Sequence, residues 1–372
     1  MEQRNIYLVR VSCKTYNHAP FIVDTMDGFA MQQTKFPFVC TIFDDASTDG
    51  EPDVIRKYMN DHFDLNDKAI ARYEETEDYV LMFARHLNNR NCYFAVFLLK
   101  YNHYSIKKSK EPYITEWENT KYMALCEGDD HWIHPKKLQM QIDFLENHND
   151  YSLCHGDAEY FVYEKNWNKG RLGKIYSKDK SYDSANRKEM FYGIMTKKYP
   201  SIVTCTACFR VDQYNKIPAN TRSFMMGDMP LWLDLSQFGR IKYFDEVFGV
   251  YVKHQGSATR SSNTRLQFTL NSHEMKLYYC EKYNYSIPAK IIKLYKKAYL
   301  ELFFSGEEMP IVNIVELSDF PNRVKRIKTN KIYNEMERMS LKISSYTLLI
   351  KEKYMILYLY IRNIIWRFLR KR

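Results

Sequence analysis

Short apolar runs that stop abruptly at polar, often acidic, residues recur through the first part of the chain. Ile6–Val11 (IYLVRV) passes into SCKTYN, Val39–Phe43 (VCTIF) into Asp44-Asp45-Ala46-Ser47-Thr48-Asp49-Gly50, and Lys121–Cys126 (KYMALC) into Glu127-Gly128-Asp129-Asp130. A continuous apolar run bounded by polar residues marks a strand buried on both faces. Between the runs lie segments of helical period: Pro20 to Met31, a second through Val54, Ile55 and Tyr58, and a third opened by Pro135 with Leu138, Ile142 and Leu145 on one face. Proline is favourable at a first helical turn. Tyr93–Lys100 also reads as helix, and Ser201–Val211 and Phe244–Val252 read as strands. Strand, polar loop and helix in repetition predict an α/β domain with a mostly parallel sheet flanked by helices. Ligands of such sheets bind at the carboxyl ends of the strands, where both acidic clusters fall. From about residue 262 the pattern turns helical and rich in Lys and Tyr. The expected division is an α/β domain over 1–261 and a helical, basic region over 262–372.

Composition adds limits. The 372 residues are 45% apolar and 16% aromatic, ample for a large core and too apolar for disorder. No stretch approaches the roughly 20 apolar residues of a spanning helix, and MEQRNIYLVRVSCKTYN lacks a signal-peptide core. A cytoplasmic protein is expected. The net charge of +10 sits almost wholly in the tail, where residues 321–372 carry 14 Lys/Arg against 3 Asp/Glu. Over 346–372, Tyr354, Leu357, Tyr358, Ile361, Ile364, Ile365 and Phe368 share one helical face, with Lys351, Lys353, Arg362, Arg367 and Arg370 opposite. That is the pattern of a helix lying on an anionic membrane surface, so peripheral association with the inner face of the cytoplasmic membrane is expected and nucleic acid is not. The eight cysteines are scattered, and the one CxxC, Cys205 and Cys208, has no second half to complete a zinc site. Buried, reduced thiols are expected.

The chemistry lies in the acidic strand ends. No GxxxxGK[ST] or GxGxxG occurs among the 12 glycines, so a bound diphosphate would not rest on a backbone cradle. Carboxylate-held Mg²⁺ or Mn²⁺ is the other solution, and Glu127, Asp129 and Asp130 offer it. Taken alone, such a triplet is as often a solvated turn.

Four segments in order make the picture specific: TYNH (15–18), FPFVCTIFDDASTDG (36–50), CEGDDHWIHPKKLQMQIDFLENHNDY (126–151) and GDMPLWL (227–233). Together they resemble bacterial family 2 glycosyltransferases of the GT-A fold, over residues 1 to about 260. The resemblance implies that Tyr16 stacks on the nucleotide base with Thr15 and Asn17 beside it, and that Asp45 accepts a hydrogen bond from uracil. It implies that Asp129 reaches the ribose and Asp130 the metal, within a metal site of Asp130, Asp129, Glu127 and His254. Glu127 stands where many relatives carry Asp. Arg90 matches a basic residue after the third strand, and Asp228 matches the catalytic base, although an aspartate there is equally a helix N-cap. YNHYSIKKSKEPYITEWENT (101–120) is long where relatives connect in a few residues.

The expectation is an inverting, Mn²⁺- or Mg²⁺-dependent hexosyltransferase. It would take a nucleotide-sugar donor, UDP-linked, and a glycan or lipid-linked acceptor in surface polysaccharide biosynthesis. Two alternatives stay open: a sugar nucleotidyltransferase, and a non-catalytic membrane-associated binding protein. The first would normally bring a Gly-rich basic loop, and SCKTYNHAP has one Lys and no Gly.

Overall fold

The computed structural model describes residues 7–172, 185–198, 200–255 and 265–305. They divide into two compact units, the first formed by the residues up to Asn220 with Leu231–Gln255, the second by Thr221–Pro230 with the helices after residue 264.

The first unit is an α/β layer structure. Its strands are β1 (Val9–Thr15), β2 (Phe38–Asp44), β3 (Arg72–Glu75), β4 (Tyr79–Arg85), β5 (Cys92–Leu99), β6 (Tyr122–Leu125), β7 (His131–Trp132), β8 (Tyr151–Val162), β9 (Trp167–Arg171), β10 (Cys208–Arg210) and β11 (Arg240–Lys253). They form one sheet in the order β3-β4-β5-β2-β1-β6-β10-β8-β11-β7, with β9 alongside β8. The centre, β5-β2-β1-β6, is parallel, as is the long β8–β11 pair. The strands β4, β7, β9 and β10 run the other way. Most strands therefore point in one direction, as the repeated strand–loop–helix pattern requires.

The helices α1 (Ile22–Ala30), α2 (Glu51–His62) and α3 (Lys137–Asn147) follow β1, β2 and β7 in chain order. They bury one face each: Ile22, Met26 and Phe29 of α1, Ile55 and Met59 of α2, Leu138, Ile142 and Leu145 of α3, against Val9, Val11, Cys13, Cys40 and Phe94 of the sheet. A separate cluster joins Val39, Phe43, Leu81 and Phe97 to Ile114 and Trp117. The 101–120 insertion is thus anchored into the core through two 3₁₀ turns, Glu111–Tyr113 and Thr115–Trp117. On the far side α4 (Arg187–Thr196) contributes Met190 to a cluster with Leu153, Phe209, Trp232 and Ile241. A one-turn helix α5 (Val211–Tyr214) follows β10.

Two expectations are corrected. Of the expected helix 93–100, residues 93–99 belong to strand β5, because CYFAVFLL is buried from both sides between β2 and β4. A short apolar run carries no period that separates the two states. Over 201–211 the strand shrinks to Cys208–Arg210, preceded by a 3₁₀ turn at Thr204–Thr206. The β3–β4 hairpin was not anticipated at all. All eight cysteines are buried and unbridged.

In the second unit, α7 (Arg265–Lys282) and α8 (Ala289–Ser305) bury Leu270, Tyr279, Tyr295 and Tyr299. The Arg222 guanidinium lies over the Tyr278 ring and 3.6 Å from Glu274. Helix α6 (Asp228–Leu235) begins in this unit, and its later residues Trp232 and Leu235 are buried in the first. Among the described residues no helix is long and apolar enough to cross a membrane. The expected membrane-surface helix over 346–372 lies outside the described residues.

Candidate active site

β1 and β2 end side by side, Thr15 opposite Asp44, and the loops that leave them are laced together. Asn17 takes a left-handed backbone, φ 57°, a conformation asparagine tolerates better than most residues. Its Oδ1 accepts the Thr48 N–H at 2.8 Å, and its own N–H donates to Ser47 Oγ at 2.8 Å. Beneath this lacing Glu51, at the start of α2, accepts bonds from the His18 N–H and the Ser47 hydroxyl, both 2.8 Å, and from the Thr15 hydroxyl. Burial pushes the Glu51 carboxyl up to about 7.

The loop after β6 closes against the same place. Gly128 is required by close approach, since a Cβ there would sit 2.1 Å from Thr15 Oγ1, and the Gly128 N–H donates to the Lys14 carbonyl at 3.0 Å. Its neighbours have opposite fates. Asp130 turns inward: its Oδ1 accepts the Val252 N–H at 2.9 Å, and its carbonyl accepts the Thr25 hydroxyl at 2.7 Å. Burial, then the charges of Asp129 and Glu127, push the Asp130 carboxyl well above the usual carboxylate range. Asp129 turns outward, with Oδ2 3.1 Å from His254 Nε2 and 3.9 Å from His18 Nε2.

His18, Asp129 and His254 offer three ligand atoms within 4.8 Å of one another. Two supporting shells fix the imidazoles. The Thr15 hydroxyl spends its proton on Glu51, so its oxygen accepts from His18 Nδ1, 3.2 Å away, and the Nε2 lone pair is left toward Asp129. Burial lowers the His18 pKa and keeps the ring neutral. The His254 ring packs on Phe21 at 4.9 Å, and Phe21 on Tyr163 at 4.8 Å. Oriented imidazoles beside one carboxylate fit a divalent cation, and orientation of metal-binding histidines by a partner on the other nitrogen is general. Two nitrogens to one oxygen suit a transition ion better than Mg²⁺.

The remaining expected residues divide. Thr15 ends β1, Tyr16 and Asn17 lie on the loop that carries His18, and Tyr16 is 45% exposed. Glu127 is exposed at the mouth of the same β6 loop. Asp45 lies beside Thr15, its N–H donating to the Thr15 carbonyl at 3.0 Å, but its carboxylate is engaged by the insertion. Oδ1 accepts the His103 N–H at 2.7 Å, and Oδ2 accepts the Tyr104 N–H at 3.0 Å and Lys110 Nζ at 3.1 Å. Arg90 is not brought to this group. It sits exposed in the turn between β4 and β5, at the amino end of β5, whereas the cluster lies at the carboxyl ends of β1 and β6. Asp228 is exposed in the first turn of α6 in the second unit, with Oδ1 accepting the Met229 N–H at 2.7 Å. Asp157, the next carboxylate after α3 and Asp150, is buried and bonded by Arg171 Nε at 2.9 Å and the Tyr243 hydroxyl at 3.2 Å. His18 and Glu51 were not singled out from the sequence.

No family model matches the chain. Proteins of Mycobacterium bovis and Mycobacterium tuberculosis, both named only as uncharacterized, are 27% identical to it over 253 residues. That alignment covers 67% of this chain and spans 60% of the length of those relatives. Among solved structures, Staphylococcus aureus TarS 1–349 in complex with UDP-GlcNAc is 16% identical, with 85% of this chain and 78% of that one covered, at a TM-score of 0.47. The mannosyltransferase PcManGT from Pyrobaculum calidifontis in complex with GDP-Man and Mn²⁺ is 12% identical, with 96% and 87% covered, at 0.43. With TM-scores below 0.5 these likenesses establish nothing about activity.

Proposed function

We propose that this protein is a metal-dependent glycosyltransferase of the family 2, GT-A type, transferring a sugar with inversion from a UDP-linked donor to a glycan or lipid-linked acceptor in surface polysaccharide assembly. The observation that carries the proposal is the His18–Asp129–His254 set at the carboxyl ends of β1 and β6, one loop away from Tyr16 and Asp45. It stands together with the four sequence segments that resemble that family.

A divalent cation held by those three side chains would supply positive charge to a departing diphosphate. Everything else falls to the chain. Glu51 and Thr15 hold His18 in one tautomer, Phe21 holds the His254 ring, and the Asp130 carboxyl ties the β6 loop to β11. Asp228 is assigned the proton of the acceptor hydroxyl, since inversion needs one carboxylate apart from those at the metal. The basic tail is assigned to an anionic membrane surface, which flotation of the full chain with anionic vesicles would test. The direct test of the enzymatic reading is release of nucleoside diphosphate from a panel of nucleotide sugars in the presence of Mn²⁺. Hydrolysis or transfer with at least one donor supports it. Pyrophosphate release from a nucleoside triphosphate and a sugar phosphate would show a nucleotidyltransferase instead.

A further inference from the structure

We infer that the 101–113 segment completes a binding site for a planar base, with Tyr104 and Tyr16 as its two walls. The inference rests on the nucleotide-sugar reading and assigns a part to an insertion that the family resemblance leaves without one.

Tyr104 is 84% exposed, yet its backbone is among the most firmly held in the loop. Asp45 is the peg. Asn102 Nδ2 donates to the Asp45 carbonyl at 3.1 Å, and the N–H groups of His103 and Tyr104 divide the Asp45 carboxylate between them. The Ser105 N–H returns to Asn102 Oδ1 at 2.8 Å, closing the turn. A second carboxylate holds the far end. Asp78 accepts Lys108 Nζ and the Tyr113 hydroxyl, both at 2.8 Å, and the Tyr101 hydroxyl as well. The His103 ring stacks on Tyr101 at 4.7 Å and meets the Tyr113 hydroxyl at 3.1 Å.

On the other side of Asp45, its N–H fixes the Thr15 carbonyl, and Tyr16 follows. Two exposed phenol rings are therefore rooted on a single aspartate, one a hydrogen bond away and the other a hydrogen bond and one residue away. Among the described residues neither ring packs on another aromatic ring. Large exposed rings on a backbone already ordered cost little further entropy when a flat ligand stacks on them. The Asp45 carboxylate already accepts three donors, so its part is to hold the turn, and stacking is what the site offers a base. Stacking is tolerant of base identity, so uracil and guanine are expected to differ little at these walls.

The test is calorimetric binding to the full chain with Mn²⁺ present, using UDP, GDP and the base-free ribose 5-diphosphate. Tyr104→Ala is expected to weaken UDP and GDP about tenfold, the scale of one lost stacking partner, while ribose 5-diphosphate changes by less than about twofold. Tyr104→Trp should bind the nucleotides at least as well as wild type, and it guards against a loss caused by a disturbed turn. Three results overturn the inference while leaving the nucleotide-sugar reading intact: UDP and GDP unaffected by Tyr104→Ala, an equal loss for ribose 5-diphosphate, or no binding by Tyr104→Trp. A wild-type protein that binds none of the three overturns both.

Discussion

The acidic loop after β2 and the acidic loop after β6 look alike in sequence, DDASTDG and EGDD, and the fold uses them in opposite ways. At the β2 end the protein supplies the partners itself: Asp45 is closed by two N–H groups and Lys110, and Ser47 donates its N–H to Asp44 at 2.8 Å. At the β6 end Asp130 is closed in this manner, its Oδ1 accepting the Val252 N–H at 2.9 Å. Asp129 faces two imidazoles instead, His254 Nε2 at 3.1 Å and His18 Nε2 at 3.9 Å. A cluster of carboxylates is therefore not a site by virtue of charge. It becomes one where the fold aims imidazole nitrogens at a carboxylate, as His18 and His254 are aimed at Asp129.

The largest expected effect separates the base from the carboxylates of both loops. Asp228→Asn should slow transfer by roughly 10²-fold or more, the usual scale of general-base catalysis, with melting temperature and Mn²⁺ affinity unchanged. Near wild-type transfer would assign the proton to another residue, and loss of folding would make Asp228 a helix cap.

Next comes the loop after β2. Asp45→Ala should strand Lys110 and two N–H groups, destabilising the protein by about 1–3 kcal/mol and exposing 101–113 to limited proteolysis. Mn²⁺ binding should persist. If Asp45→Ala instead removes Mn²⁺ binding, the two loops are not separable.

The smallest effect concerns pH and lies away from both loops. Burial lowers the His155 pKa to about 3, so its neutral form stabilises the fold above the unfolded value near 6.5, and that contribution is lost as pH falls from there toward 3. His155→Leu should melt with a shallower decline between pH 7 and pH 5 than wild type. Parallel melting curves would place the acid sensitivity elsewhere.

What the sequence made legible was the frame. The passage from an apolar run to a polar loop located β1, β2 and β6 and the end of the sheet where ligands bind, because a buried parallel strand is mostly apolar until it leaves the core. The partners of those acids were not legible. His18 lay inside a quoted motif, TYNH, but what aims it is Thr15 and Glu51, the latter 33 residues on, and its companion His254 arrives from β11. Which of Asp129 and Asp130 faces outward depends on a bond to Val252, 122 residues away. The insertion read only as a long connection because its anchors, Asp45, Asp78 and the apolar cluster that takes Trp117, are all long-range. Helix and strand were confused at 93–99 for the same cause: burial on both faces erases periodicity.

The central claim, that the β6 loop divides its two aspartates between a cation and the core, is tested most directly by Mn²⁺ titration followed by electron paramagnetic resonance. The proteins compared are wild type, Asp129→Asn and Asp130→Asn, with circular dichroism confirming the fold. The account predicts that Asp129→Asn loses Mn²⁺ binding by at least about tenfold, the usual cost of disturbing a metal's immediate surroundings, while Asp130→Asn, whose side-chain oxygen can still accept the Val252 N–H, keeps it within about threefold. Loss in Asp130→Asn with retention in Asp129→Asn would contradict it.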